Sequence, residues 1–296
     1  MNFPSTKQLQ YFVALVDAGH FGRAAKASFV SQSAFSNAIQ ALETSLGAQL
    51  VDRTNRRVTI TAMGQEVHTL ARLVLRDLTD LVEVAGGGRE PLSGDLRLGV
   101  IPTIAPFLLP HVLPKLRRQY PELRLYLTED ETGRLYERLS DGELDLLLLA
   151  LPWEMRGAEQ KVLFKDAFYL ACREGTQRVD PRNYRFSRLD ADSILLLEDG
   201  HCLRDHALAA CKIQNLQKVQ RFAASSLLTL VEMVDADLGI TFLPEMSRQS
   251  ALLKNTRVRL YDLRDKSYRN IGLAWRRGSN RVKEFGLFGE FLAKNR

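Results

Sequence analysis

The chain has 296 residues, of which 45% are hydrophobic and 26% charged, with a formal net charge of +6. That length is enough for two or three domains, and the balance of apolar and charged residues excludes a disordered or low-complexity chain. Three cysteines are too few for a disulfide framework, and the modest basic excess favours an acidic partner such as nucleic acid without proving one.

Leu9, Phe12, Val13 and Val16 mark one face of a first helix that ends near Gly19, and Phe21 to Phe29 reads as a short second helix. In a third helix Phe35, Ala38, Ile39, Leu42 and Leu46 fall on one side, while Ser33, Ser36, Asn37 and Gln40 fall on the other. A tight turn into a helix whose exposed face carries small hydroxyl and amide groups fits a helix-turn-helix. Gln32, Asn37 and Gln40 can donate and accept toward base edges in a major groove. An ordinary amphipathic surface helix would carry the same pattern. Gln49 to Asp52 and Arg57 to Ile60 then read as two short strands around the polar turn Arg53 to Arg56, a basic wing able to reach phosphate or a minor groove. Over these sixty residues Lys7, Arg23, Lys26, Arg53, Arg56 and Arg57 outnumber Asp17, Glu43 and Asp52.

The run from Leu9 to Gly64 resembles the winged helix-turn-helix of LysR-type transcriptional regulators, with helix, turn and wing in order. The resemblance implies double-stranded DNA as partner, with Gln32, Ser33, Ser36 and Asn37 near bases and Arg53 and Arg56 near the backbone or minor groove.

Thr61 can cap a long helix in which Val67, Leu70, Val74, Leu78, Leu81 and Ala85 recur at three- and four-residue steps. Such a seam asks for a second helix, and next to a DNA-binding module a dimerising helix is expected, because twofold operators need twofold proteins. Gly86-Gly87-Gly88 breaks the helix at a hinge. The expected division is a DNA-binding domain over 1–60, a connector over 61–88 and a regulatory domain over 89–296.

From Asp95 onward strands and helices alternate, which reads as an α/β fold on a parallel sheet. Leu96 to Ile101, Arg124 to Leu127 and Leu144 to Leu151 are strands, with helices near Leu108 to Tyr120 and Arg134 to Leu139. A second unit follows with Ala167 to Cys172, Ile194 to Leu197, a helix from Ser226 to Val234, and Ile240 to Phe242, before the chain returns through Asn270 to Trp275. This order resembles the effector domain of the same family, which implies a periplasmic-binding-protein-like pair of subdomains, about 94–163 with 268–296 and about 164–267. Thr103 would lie at a helix start facing the cleft between them, or be a plain cap.

The run Gly200 to Cys211 gathers two of the three cysteines and two of the five histidines. After Gly200 it reads as a short helix with Cys202 in its first turn, where the helix N-terminus, Arg204 and His201 would lower the thiol pKa. Cys211 lies nine positions on, so in an intact helix the two Cα atoms are roughly 13 Å apart. A disulfide spans at most about 7 Å, so oxidation would have to unwind the segment. Alternatively, an isolated cysteine is most often a small buried hydrophobe, the reading also given to Cys172.

Ile101 to Leu123 and the Gly200 to Cys211 run resemble the peroxide-sensing OxyR subfamily of these regulators. That resemblance implies that Cys202 reacts with hydrogen peroxide and Cys211 resolves it. It also places Thr103, His201 and Thr132 about the peroxide, and Arg204 and Asp205 as supports of the loop. Arg276 or Arg277 would serve the reduced thiolate. The expected assembly is a homodimer or homotetramer on operator DNA, acting as activator or repressor with RNA polymerase and reset by a dithiol reductant of the glutaredoxin or thioredoxin type. No cofactor or metal is expected, since CxxC and HExxH spacings are missing. No apolar run is long enough to span a bilayer, so a cytoplasmic protein without membrane contact is expected. A family member answering a small metabolite in the cleft is the alternative, and a thiol peroxidase is disfavoured by the DNA module.

Overall fold

The computed structural model describes residues 3–54, 57–85, 90–184, 189–210, 216–220, 223–263 and 267–296. The chain divides into two compact units, residues 1–90 with 140–143, and residues 91–139 with 144–296.

The first unit opens with α1 (Thr6–Ala18), started by a capping box in which Ser5 and Gln8 bond each other's backbone and side chain, and ended by Gly19 at φ 61°. After α2 (Phe21–Ala27) comes α3 (Gln32–Leu46), capped by the Ser31 hydroxyl, which accepts from the Ala34 N–H. Phe12, Leu15, Phe35, Ile39 and Leu42 close a small core that leaves the polar face of α3 outside. Strands β1 (Val51–Thr54) and β2 (Arg57–Ile60) pair antiparallel, so the first wing strand runs two residues later than its composition suggested. Helix α4 (Ala62–Ala85) follows, and the Thr61 hydroxyl accepts from the Gly64 N–H at 2.9 Å. Gly64 has a reason of its own, since a Cβ there would stand 2.2 Å from the Leu50 carbonyl oxygen. Leu70, Val74, Leu78 and Leu81 of the expected seam are exposed, whereas Val67 packs against the core of the helix-turn-helix with Ala71.

The second unit begins with β3 (Gly94–Val100), α5 (Ala105–Gln119), β4 (Leu123–Glu129), α6 (Thr132–Ser140) and β5 (Leu146–Leu151). Every residue of β5 is buried, as a strand covered on both faces requires. The long β6 (Ala158–Arg173), α7 (Cys202–Ala210), α8 (Leu227–Asp235), β7 (Thr241–Pro244), α9 (Ala251–Lys254), β8 (Val258–Asp262), β9 (Tyr268–Arg276) and α10 (Val282–Asn295) complete it.

Among the described residues the strand order is β4-β3-β5-β9-β6-β7, with β8 also paired to β6. The expected parallel sheet is found only where β3 lies between β4 and β5; β9 and the pairings of β6 with β7, β8 and β9 are antiparallel. Ile194 to Leu197 forms isolated parallel bridges rather than a strand. The segment expected at Ala167 to Cys172 is the far end of β6, whose first part pairs with β9 and whose last part pairs with β7 and β8. This one strand therefore runs from a lobe centred on Leu98, Leu148 and Phe288 into a lobe centred on Leu170, Val231 and Phe242.

Candidate redox site and DNA-reading face

Helix α7 sits where the two lobes meet. Gly200 enters it at φ 101°, in the region that favours glycine, and a Cβ there would come within 2.7 Å of the Glu131 carboxylate. Cys202, a free thiol at 2% exposure, packs into the core of the first lobe, whereas its neighbours Leu203 and Ala207 pack into the core of the second.

Burial pushes the Cys202 thiol up from its usual range, and this outweighs three groups that pull it down: the Arg269 charge, the Thr132 hydroxyl and the Ala150 backbone N–H. The expectation of a thiol lowered by its helix terminus, Arg204 and His201 is thus corrected, because desolvation disfavours the anion more than these neighbours favour it. Arg204 is committed elsewhere, with Nε 2.9 Å from the exposed Asp199 carboxylate and Nη1 donating to the Leu197 carbonyl at 3.2 Å, so it braces the loop that leads into α7. Asp205 is exposed and raises the thiol slightly.

The arginine that acts on the sulfur is Arg269. Arg276 ends β9 and Arg277 lies in the turn beyond it, and neither is among the groups that act most strongly on Cys202. The Arg269 side chain is fully buried, and its Nε donates to Asp166 Oδ2 at 2.9 Å. Its Nη1 donates to Thr103 Oγ1 and its Nη2 to the Thr103 carbonyl, both at 2.8 Å. Asp166 also accepts from the Met246 N–H at 3.2 Å. Arg269 and Asp166 stand directly opposite each other in the β9–β6 register. Arg269 occupies an inward phase of β9, between exposed Tyr268 and half-buried Asn270. A charge at an inward strand position was a signal the sequence held.

Thr103 follows β3 and is buried, but it caps nothing: α5 starts two residues later without a side-chain cap. Its hydroxyl oxygen accepts from Arg269, and a hydroxyl can also donate. Thr132 opens α6 fully buried, and its hydroxyl makes no complete hydrogen bond; the Cys202 thiol is the group it acts on. His201 is buried, with Nε2 3.9 Å from Glu131 Oε1. Thr103 and His201 both line a cleft of about 620 Å³ whose other walls include Phe107, Leu227, Leu228 and Leu252. Sequence reasoning missed His206, one turn after Cys202 on α7. Its ring N–H donates to the Pro152 carbonyl, Nδ1 is buried without a partner, and burial lowers its pKa. Cys211 lies outside the described residues, so the structure brings Cys202, Thr103, Thr132 and His201 into one region without Cys211.

In the first unit Gln32, Ser33, Asn37 and Gln40 are exposed on α3 and Ser36 is half-buried. Arg56 and the side chain of Arg53 lie outside the described residues.

Residues 6–65 match the family model of the bacterial regulatory helix-turn-helix protein, lysR family, and residues 89–296 match the LysR substrate binding domain. The HTH-type transcriptional regulator EstR of Acinetobacter baylyi is 40% identical over 98% of this chain and 97% of its own length. The DNA-binding transcriptional dual regulator OxyR of Escherichia coli is 38% identical over 92% of this chain and 90% of its own. A full-length OxyR variant from Pseudomonas aeruginosa superposes with a TM-score of 0.83 at 30% identity, covering 99% of this chain and 95% of that one.

Proposed function

The chain belongs to the LysR family of DNA-binding transcriptional regulators, is OxyR-like within it and is not an enzyme, and from that premise we propose that it senses hydrogen peroxide through Cys202. The observation that carries this reading is the buried thiol at the start of α7, set among Arg269, Thr132 and the Ala150 N–H, each of which favours its anion. In this reading residues 1–60 bind DNA, 61–88 connect and dimerise, and 89–296 regulate.

The chemistry follows from that wall. Burial keeps the resting thiol protonated, and Arg269 and Thr132 stand ready to stabilise the thiolate, the form that reacts. The thiolate sulfur bonds one peroxide oxygen and the O–O bond breaks. The departing hydroxide takes up the proton the thiol gave up, so thiol and peroxide become sulfenic acid and water. The Thr103 and His201 side chains at the cleft wall would orient the peroxide. Cys211 then condenses with the sulfenic acid, releasing a second water, and a cellular dithiol returns both cysteines to thiols. Cys202 lies in the core of one lobe and the following residues in the other, so drawing its sulfur out to Cys211 must repack the seam between lobes. The exposed seam of α4 supports assembly as a homodimer or homotetramer on an operator read by α3, where RNA polymerase would be engaged in the cytoplasm.

Two observations favour a second reading. The relative EstR is named as a different regulator, and the cleft is far larger than a peroxide molecule and largely apolar. A small organic effector would fit it. Operator footprinting with and without hydrogen peroxide, on the wild type and Cys202→Ser, separates the two. The peroxide reading expects a footprint change in the wild type that the variant loses; an effector of the cleft would act on both alike.

A further inference from the structure

The two charges buried beside the cleft are not independent of each other. Asp166 on β6 and Arg269 on β9 are cross-strand partners, and among the described residues Asp166 is the only carboxylate in ion-pair contact with Arg269. The guanidinium is fixed on three sides, by Asp166 at Nε and by the Thr103 hydroxyl and carbonyl at its two terminal nitrogens. Asp166 is held in turn by the Met246 N–H. With its carboxylate in place the pair is neutral overall, and the field of such a dipole falls off faster with distance than that of a lone cation.

We propose that Asp166 is a positioning residue that sets the peroxide threshold: by pairing with Arg269 it aims the guanidinium and offsets its charge, which keeps the Cys202 thiol from ionising too readily. The proposal rests on Cys202 being the reacting thiol. It gives the buried pair a task beyond joining two strands: a stronger pull from Arg269 would make the switch fire at lower peroxide, and a weaker one would silence it. Arg269 is the attraction and Asp166 its brake.

The test is the pH profile of Cys202 alkylation, read on the Cys202 peptide of the full chain by mass spectrometry, for the wild type, Asp166→Asn and Asp166→Glu. Asp166→Asn keeps an oxygen for the Arg269 Nε and removes the negative charge. It should lower the apparent thiol pKa by about half a unit, raising the alkylation rate at pH 7 by about threefold, with no change at a pH where both proteins are fully ionised. Asp166→Glu keeps the charge and should stay near the wild type. An unshifted or raised pKa in Asp166→Asn, or a rate raised equally at every pH as loosened packing would do, overturns the proposal. If Asp166→Asn does not melt cooperatively, Asp166→Ser, which leaves room for water beside Nε, takes its place; if neither folds, Asp166 is a structural partner only and the proposal falls. The hydrogen peroxide rate is measured in parallel. A lowered pKa without any reaction with peroxide would sink the sensor reading and leave the role of Asp166 standing.

Discussion

Cys172 and Cys202 are both free, buried thiols of the same regulatory region, and their surroundings differ in kind. Cys172 lies at the far end of β6, where burial and the nearby Asp237 both disfavour the anion and push its pKa up to about 11. Cys202 is opposed by burial too, yet Arg269, Thr132 and the Ala150 N–H all work against that opposition. Burial is the common condition of cysteines; the polar wall is what distinguishes a thiol able to act. That wall is assembled from β9, α6 and β5 around a helix that comes from the other lobe.

The largest effect should come from exchanging the two roles. Cys202→Ser should abolish the operator footprint change on peroxide, whereas Cys172→Ala should retain it; a response lost in both or kept in both would dissolve the contrast. Next, Arg269→Gln should make Cys202 more like Cys172, raising its apparent pKa in alkylation profiles. It should also destabilise the fold by about 3 kcal/mol in urea titration, because Asp166 is left buried and unpaired.

An alkaline titration sharpens the comparison further. The unfolded chain releases the Cys172 proton near the usual 9.0, while the native fold holds it to about 11. Stability should therefore be complete below that lower value and decline across the window, by up to about 3 kcal/mol for Cys172 alone. Cys172→Ala should flatten the decline in part, with the remainder due to Cys202, which also resists ionisation. The smallest effect is on the acid side. Burial lowers the His206 pKa below the usual 6.5, so the unfolded chain takes up that proton first and stability should fall as pH drops below this value. His206→Gln should remove part of that slope in urea titrations between pH 7 and 5; His68, lowered in the same sense, supplies another part.

The helix-turn-helix was readable from the chain because its signals are local. Apolar spacing placed Phe35, Ile39 and Leu42 inward, and Gly19 marked the end of α1. Gly200 and the start of α7 at Cys202 were local in the same way. The wall of the thiol was not. Asp166 and Arg269 meet only through the register of two strands 103 residues apart in sequence, which no spacing rule reveals. The thiol's pKa moved opposite to expectation for a related reason: the helix terminus was visible in sequence, and the depth at which the first lobe encloses it was not. The antiparallel return of β9 and the passage of β6 from one lobe into the other are likewise decided by packing at long range.

The account rests on Cys202 as the thiol that peroxide oxidises, and the most direct test is peptide mapping without reductant after the full-length protein has met one equivalent of hydrogen peroxide for seconds. The account predicts a linked Cys202–Cys211 peptide, reversed by a dithiol, with Cys172 still open to alkylation after unfolding. Cys202 and Cys211 both remaining reduced while peroxide persists would contradict it, and the cleft beside Thr103 would then be the place to look for the effector.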